Sequence, residues 1–274
     1  MTKLALYKAM IPLMYLQIIS FAVQAQSIIE VSESLKQNGK RYEVKGKGIG
    51  ANMIFQFGGF AMTTVQDETA NRSRKKKAFN PLKEVNVEKT SSFTMVSQEG
   101  AIASIKVGLT IYRKQRNNKS LVFNDEEKGS FNIENDPDIL ETSYHYTANI
   151  LTNLDTGYWE VVFIEKVGQE VLGGKVFNGW LTNGDRTVQI APVAKYEPSN
   201  KSSLMQLQLM VNNYFPGFEL REKGEALAAV QTAAEKYKGY VWLADDLNPR
   251  DELLLAAVST TILRESKRRQ RAGD

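Results

Sequence analysis

A single histidine, His145, stands between Tyr144 and Tyr146, and the 274-residue chain contains no cysteine. Those two counts limit the chemistry severely. Hydrolysis by a nucleophile–histidine pair needs a nucleophile and an orienting carboxylate beside the imidazole. The chain has no Gly-x-Ser-x-Gly elbow to present a serine. A thiolate nucleophile, a disulfide scaffold and a zinc–thiolate site are excluded outright. His145 therefore reads as an ordinary strand residue, with a lone acid–base role as the alternative. Glu134, Asp136, Asp138 and Glu141 crowd one segment as calcium ligands would, yet the spacing lacks the glycine and terminal glutamate of a calcium loop. Gly46-Lys47-Gly48-Ile49-Gly50-Ala51 has the wrong spacing for Gly-x-Gly-x-x-Gly, and glycines where strands bend or pack closely explain it better. No catalytic residue, metal site or cofactor is expected.

Two basic clusters remain as candidates for binding. Arg72, Arg74, Lys75, Lys76 and Lys77 sit in a polar stretch, and Arg264, Lys267, Arg268, Arg269 and Arg271 close the chain. Neither is interleaved with the aromatics that stack nucleobases, so nucleic acid is not the expected partner. The choice lies between solvated charge and an anionic membrane or lipopolysaccharide surface, near which each basic residue contributes about 1 kcal/mol. Tyr158, Trp159, Trp180, Tyr240 and Trp242 lie on or beside expected strands. They read as core, with the lining of a ligand cavity as the alternative.

The elements that must position these residues begin after a leader. Lys3 and Lys8 precede an apolar stretch from Ala9 to Val23, and Val23-Gln24-Ala25 places small residues at −3 and −1. Cleavage between Ala25 and Gln26 is expected, with a retained anchor as the alternative. No cysteine follows the apolar run, so a lipoprotein is not expected. Loss of Lys3 and Lys8 leaves 33 basic residues against 31 acidic ones, a net +2 where the full chain has +4. Export without cysteine points to a bacterial envelope more than to a eukaryotic secreted domain. Hydrophobic residues at 42% and charged residues at 24% exclude wholesale disorder and a multi-span membrane protein.

From Arg41 to Val193 the pattern is strand and turn. Ser91 to Val96 and Ala101 to Tyr112 flank Gln98-Glu99-Gly100, and Ser143 to Leu151 and Tyr158 to Glu165 flank a turn ending at Gly157. Val171 to Phe177 continues the meander. Trp180-Leu181 and Thr187 to Val193 flank Asn183-Gly184-Asp185, a strong hairpin signal. Stretches 66–89 and 113–138 read as long polar surface loops. Met205 to Val211 and Tyr240 to Leu243 look like strands, whereas 225–238 fits a helix or a hairpin equally well. Asn248-Pro249 with Asp251 and Glu252 marks a helix start, and the helix runs to about Arg268. Leu253 to Leu263 is apolar nearly all round, so that helix must be buried on every face. A curled sheet or closed barrel around it is the simplest burial, with the basic exit from Arg264 to Arg271 reaching water or an anionic surface.

Pro216-Gly217-Phe218, Gly239-Tyr240-Val241-Trp242-Leu243 and Leu254-Leu255-Ala256-Ala257 resemble the C-terminal pattern of a family of bacterial exported proteins with no assigned activity. More loosely, the strands and buried terminal helix resemble the tubby-like and LURP-one-related barrels, which implies a mainly β fold: an antiparallel barrel or curled sheet enclosing the helix. Residues 26–274 are expected to form a single β-rich domain. The expected function is that of a non-enzymatic envelope protein binding an anionic lipid surface or an envelope partner. The alternatives are a carrier of a small apolar ligand and, further off, a hydrolase using His145 or the acidic segment.

Overall fold

Strands run further along the chain than the turn signals suggest. The structure is a computed structural model. It describes residues 28–48, 53–67, 71–76, 82–116, 121–125, 129–133, 138–168, 175–195, 215–232 and 239–272, with backbone alone at 67, 75–76, 121–125, 129–133, 175 and 268–272. A short helix, α1 (Glu33–Asn38), leads into β1 (Gly39–Lys47), β2 (Ile54–Phe57), β3 (Phe60–Asp67) and β4 (Asn71–Lys76). The long hairpin β5 (Leu82–Ser97) and β6 (Ile102–Arg116) follows, then a separate small one, β7 (Leu121–Asp125) and β8 (Gly129–Ile133). The meander continues through β9 (Asp138–Thr152), β10 (Tyr158–Val167), β11 (Lys175–Thr182) and β12 (Thr187–Val193). It ends with β13 (Gly217–Glu222), β14 (Glu225–Gln231), β15 (Gly239–Ala244) and the helix α2 (Pro249–Ala272).

Twelve strands close into an antiparallel barrel in the order β3-β2-β1-β15-β14-β13-β12-β11-β10-β9-β6-β5. The seam is β3 on β5, with Phe60 opposite Ser97 and Met62 opposite Met95, and a register shift between Met62 and Val65. β4 pairs with the remote half of β5 and carries the sheet past the seam.

Eight strands already leave an interior just wide enough for side chains to fill, and diameter grows with strand number. Twelve leave a hole, and α2 fills it. Every residue from Leu253 to Leu263 is buried. Around them pack Phe55 and Phe57, Met95, Ile105, Ile150, Trp159, Leu181, Leu220 and Leu243 from strands on all sides. Ala256 and Ala257, both at 0% exposure, let the strands come close. Two of the helix's own hydroxyls turn inward on its backbone: Thr260 and Thr261 donate to the Ala256 and Ala257 carbonyls at 2.9 Å.

The two ends of the barrel differ. At the end where α2 begins, the strands turn tightly, as at Asn183-Gly184, where φ of +97° at Gly184 suits glycine. Asn248 caps α2, its Oδ1 accepting from the Asp251 amide at 2.9 Å. Arg186 then ties three elements together. It grips Glu222 with two bonds, at 2.7 and 2.9 Å, and both oxygens of Asp251 at 2.9 Å. Its guanidinium also lies 5.7 Å from the Trp159 ring centre. Beside it, hydrogen bonds from the Trp159 indole and the Gly157 amide hold the Asp155 carboxyl below the usual range. At the opposite end the connections are longer, and 49–52, 68–70, 117–120, 169–174, 196–214 and 233–238 lie outside the described residues.

Outside the barrel, Ile29, Val31 and Leu35 cover Ala226, Ala229 and Trp242, a second apolar cluster. Gly217 is required there, since a Cβ would meet the Ile29 Cδ1 and the Val230 carbonyl at 2.6 Å. The buried Glu219 carboxylate accepts from the Ser32 amide and from Arg221.

Several expectations are corrected. The described residues of stretches 66–89 and 113–138 are strands, not surface loops: β4, the first half of β5, the end of β6 and the β7–β8 hairpin. Ladder bonds to neighbours hold these segments extended despite their polar sequence. Of the segment 225–238, residues 225–231 form a strand hairpinned to β13, because Lys223-Gly224 supplies two positive-φ positions. α2 starts at Pro249 and passes Arg268 as expected, its last turn reaching Ala272. β11 joins Phe177 to Trp180-Leu181 in one strand, and residues 171–174 of the expected strand lie outside the described residues. The proposed strand Met205 to Val211 and the leader 1–25 lie outside the described residues.

Replacing Arg186 by Met should cost about 2–3 kcal/mol of unfolding free energy, because hydrogen bonds to charged groups are lost and two carboxylates remain. The guanidinium beside Glu222 holds that carboxyl below its ordinary 4.5. Its contribution is therefore present above pH 4.5 and lost as pH falls through the lower folded value. Urea melts at several pH values should show an acid-side loss in the parent that is shallower in Arg186→Met.

Candidate functional site

Strand direction decides where the basic residues meet. β5 runs from Ser97 at the tight-turn end towards Leu82 at the other, and β4 pairs with it at residues 83–88. α2 starts at the tight-turn end and reaches β5 with Arg264, whose Nη1 donates to Ser91 Oγ at 2.7 Å. Beyond that point β4 and the last turns of α2 extend to the same open end. Two clusters almost 200 residues apart are thereby brought to one rim.

Directly opposed residues on neighbouring strands share a face. Arg74 stands opposite Val85, and Val85 opposite Arg113; Lys76 stands opposite Lys83; Arg72 stands opposite Val87. Val85 is buried, which marks this as the inward face. No acidic residue shares it on β4, β5 or β6 in these registers. Arg72 and Arg74 are themselves exposed, while the Nε of Arg113 is shielded and without a hydrogen-bond partner among the described residues. Lys75 and Lys76 belong to β4, and Lys77 lies outside the described residues. The cluster was expected in a loop, but β4 is an edge strand, where arginine and lysine also deter pairing with other chains.

The C-terminal cluster divides. Arg264 was expected to reach water or an anionic surface, yet it is only 4% exposed. Its guanidinium sits 5.5 Å from the Phe93 ring centre, so it belongs to the barrel lining. Glu265 is buried beside it in sequence at 2%. Ser266 and Lys267 are half-buried, so the helix leaves the barrel there, and Arg268, Arg269 and Arg271 lie on the stretch beyond.

Arg113, Lys83 and the exposed Arg116 were missed as contributors to this rim. Tyr112 to Arg116 has no apolar alternation, so nothing in that stretch signals a strand. The only available signal was its charge.

Next to the rim lies an aromatic pocket. Phe163 stacks on Tyr146 at 4.3 Å and on Phe177 at 5.9 Å, and Phe177 meets Phe218 at 4.9 Å and Phe215 at 5.7 Å. Glu165, Glu265 and Thr232 add polar groups to its wall. A barrel is compatible with carrying a ligand, but this cavity measures about 30 Å³. That is room for a water or two, far below the roughly 300 Å³ at which small-molecule pockets begin. Of the candidate cavity aromatics, Trp159 and Trp242 are buried core and Tyr158 is exposed at 62%.

The remaining candidates are dispersed. His145 is exposed on β9, opposite Thr110. Glu141 bonds Ser143 at 2.9 Å and pairs with Lys166 at 3.8 Å, Asp138 is exposed, and Glu134 and Asp136 lie outside the described residues. Among the described residues no three His, Asp or Glu side chains converge as a metal ion needs. No described helix is long and apolar enough to cross a membrane. Compared with known protein families, with curated proteins and with solved structures, the chain matches none. Its function must be read from the residues themselves.

The division of the basic cluster is measurable. Arg264→Ala should lower stability by about 2–4 kcal/mol, since it opens a void and strands a buried hydroxyl. Arg72→Ala and Arg74→Ala, at exposed positions, should each stay within about 0.5 kcal/mol of the parent. Denaturant midpoints of the three variants check the contrast.

Proposed function

We propose that the protein is a non-enzymatic component of the bacterial cell envelope that docks on an anionic lipid surface through the basic rim at the open end of its barrel. The observation that carries this reading is the meeting of β4, with Arg72, Arg74, Lys75 and Lys76, and the basic end of α2 at one end of the molecule. With a net charge near +2 after loss of the leader, the attraction belongs to this patch and not to the molecule as a whole. About 1 kcal/mol per basic residue near an anionic surface makes a handful of such residues sufficient for reversible docking. A helix that fills the barrel supports a docking role over carriage of a lipid inside it. The reading needs no metal and no cofactor.

Sedimentation with vesicles of phosphatidylcholine, alone or mixed with phosphatidylglycerol, is the test. Binding should require the anionic lipid and weaken with added salt. Arg72→Glu with Arg74→Glu should reduce it at least about tenfold, from two charge reversals at about 1 kcal/mol or more each. Equal binding to neutral vesicles, or no loss in the folded double variant, overturns the reading. The envelope location has its own check. The protein recovered from the native envelope fraction should begin at Gln26, and a chain that keeps residues 1–25 would instead be anchored.

A further inference from the structure

The strands β4, β5 and β6 that build the rim carry, together with β9, a second surface on their other side. Ser73 on β4 stands opposite Asn86 on β5, and Asn86 opposite Tyr112 on β6; Thr110 stands opposite His145 on β9. Together with Glu84 these side chains line a groove of about 440 Å³ on the outer face of the sheet. That volume falls within the usual range for small-molecule sites, roughly 300–1,000 Å³.

The lining is chemically uniform in an informative way. It holds three hydroxyls, one amide, one imidazole and one carboxylate, with no cation and no aliphatic side chain. Around the lining, Glu84 and Glu88 share the face with Lys75 and Lys114, which both stand opposite Glu84, so the surroundings carry both signs and favour neither an anion nor a cation. An apolar ligand would meet only the Tyr112 ring. The Asn86 Oδ1 is shielded from solvent and has no hydrogen-bond partner among the described residues, while its Nδ2 reaches Glu88 Oε1 at 3.4 Å. A shielded acceptor without a donor is costly, and a ligand hydroxyl would satisfy it. Burial, with the Glu84 carboxylate adding to it, pushes the Tyr112 phenol above its ordinary value, so the hydroxyl stays a donor.

We infer that this outer groove binds a neutral saccharide. A carboxylate and an amide each offer paired polar atoms to adjacent sugar hydroxyls, and the hydroxyls of Ser73, Thr110 and Tyr112 both donate and accept. The Tyr112 ring supplies the flat apolar face on which a sugar's C–H face packs. Neighbouring strands lie about 4.8 Å apart, close to the repeat of one pyranose unit in an extended glycan. A chain laid across the strands therefore meets a polar group from each. The inference is independent of docking through Arg72 and Arg74, which stand on the opposite face of these strands.

His145 is the only histidine, so its ring gives a single unambiguous NMR reporter in the groove. The mature protein is titrated with maltotriose, cellotriose and chitotriose, and separately with inorganic phosphate. The expected result is a saturable shift of the His145 ring signals with at least one trisaccharide. Asn86→Ala and Tyr112→Ala should each weaken that binding about tenfold or more, while the Arg72→Glu, Arg74→Glu variant binds sugar as the parent does. Ring signals unmoved by all three sugars, a response to phosphate alone, or full affinity in both folded groove variants overturns the inference. Vesicle binding unchanged in Asn86→Ala keeps this result separate from the rim.

Discussion

Closing twelve strands into a ring creates an interior too wide for their own side chains to fill, and everything else in this molecule answers that constraint. A void of that size has no partner atoms for its lining, and water there would be surrounded by phenylalanine, leucine and isoleucine. α2 supplies the missing volume. Its apolar circumference, which would be a liability on any surface, is what the interior of the barrel demands.

A helix inside a barrel also has a direction, and the direction sorts the two ends. Where α2 begins, Asn248 caps its first amides and Arg186 clamps Asp251 to Glu222, so the entrance is closed by hydrogen-bonded charge. Where it leaves, the apolar sequence gives way to Arg264 and Glu265 while both are still within the wall. Arg264 meets Ser91 there and lies over Phe93, and the barrel lining becomes polar. The basic end of the helix thus emerges at the end where β4 widens the sheet. Charge at the rim and burial in the core are consequences of one helix threading one way.

The extended sheet of β4, β5, β6 and β9 is where strand alternation has most effect. Residues facing inward continue the barrel lining and end in Arg74, Lys83 and Arg113. Residues facing outward, one position along, form a hydrogen-bonding surface of mixed polar groups around Asn86 and Tyr112. Two surfaces of different chemistry therefore share the same backbone, because successive side chains of a strand point to opposite faces.

Patterns local in sequence were legible. Leu253 to Leu263 announced a helix buried on all sides, Asn248-Pro249 its start, and Asn183-Gly184 a hairpin, because each rests on propensity, capping or turn geometry within a few residues. A barrel enclosing the helix followed from burial alone. The segments Asn71–Lys76 and Arg113–Arg116 were not legible as strands, since their conformation depends on ladder bonds to β5 and β9 and not on their own residues. Nor did a basic composition reveal that Arg264 is buried while Arg72 and Arg74 are exposed; partners 173 positions away in sequence decide that. The sequence by itself determined the kinds of element and the need for a filled core. Only the tertiary structure decided which charges share a rim and which polar side chains share a groove, because strand register sets those neighbours and register is a property of pairs of strands.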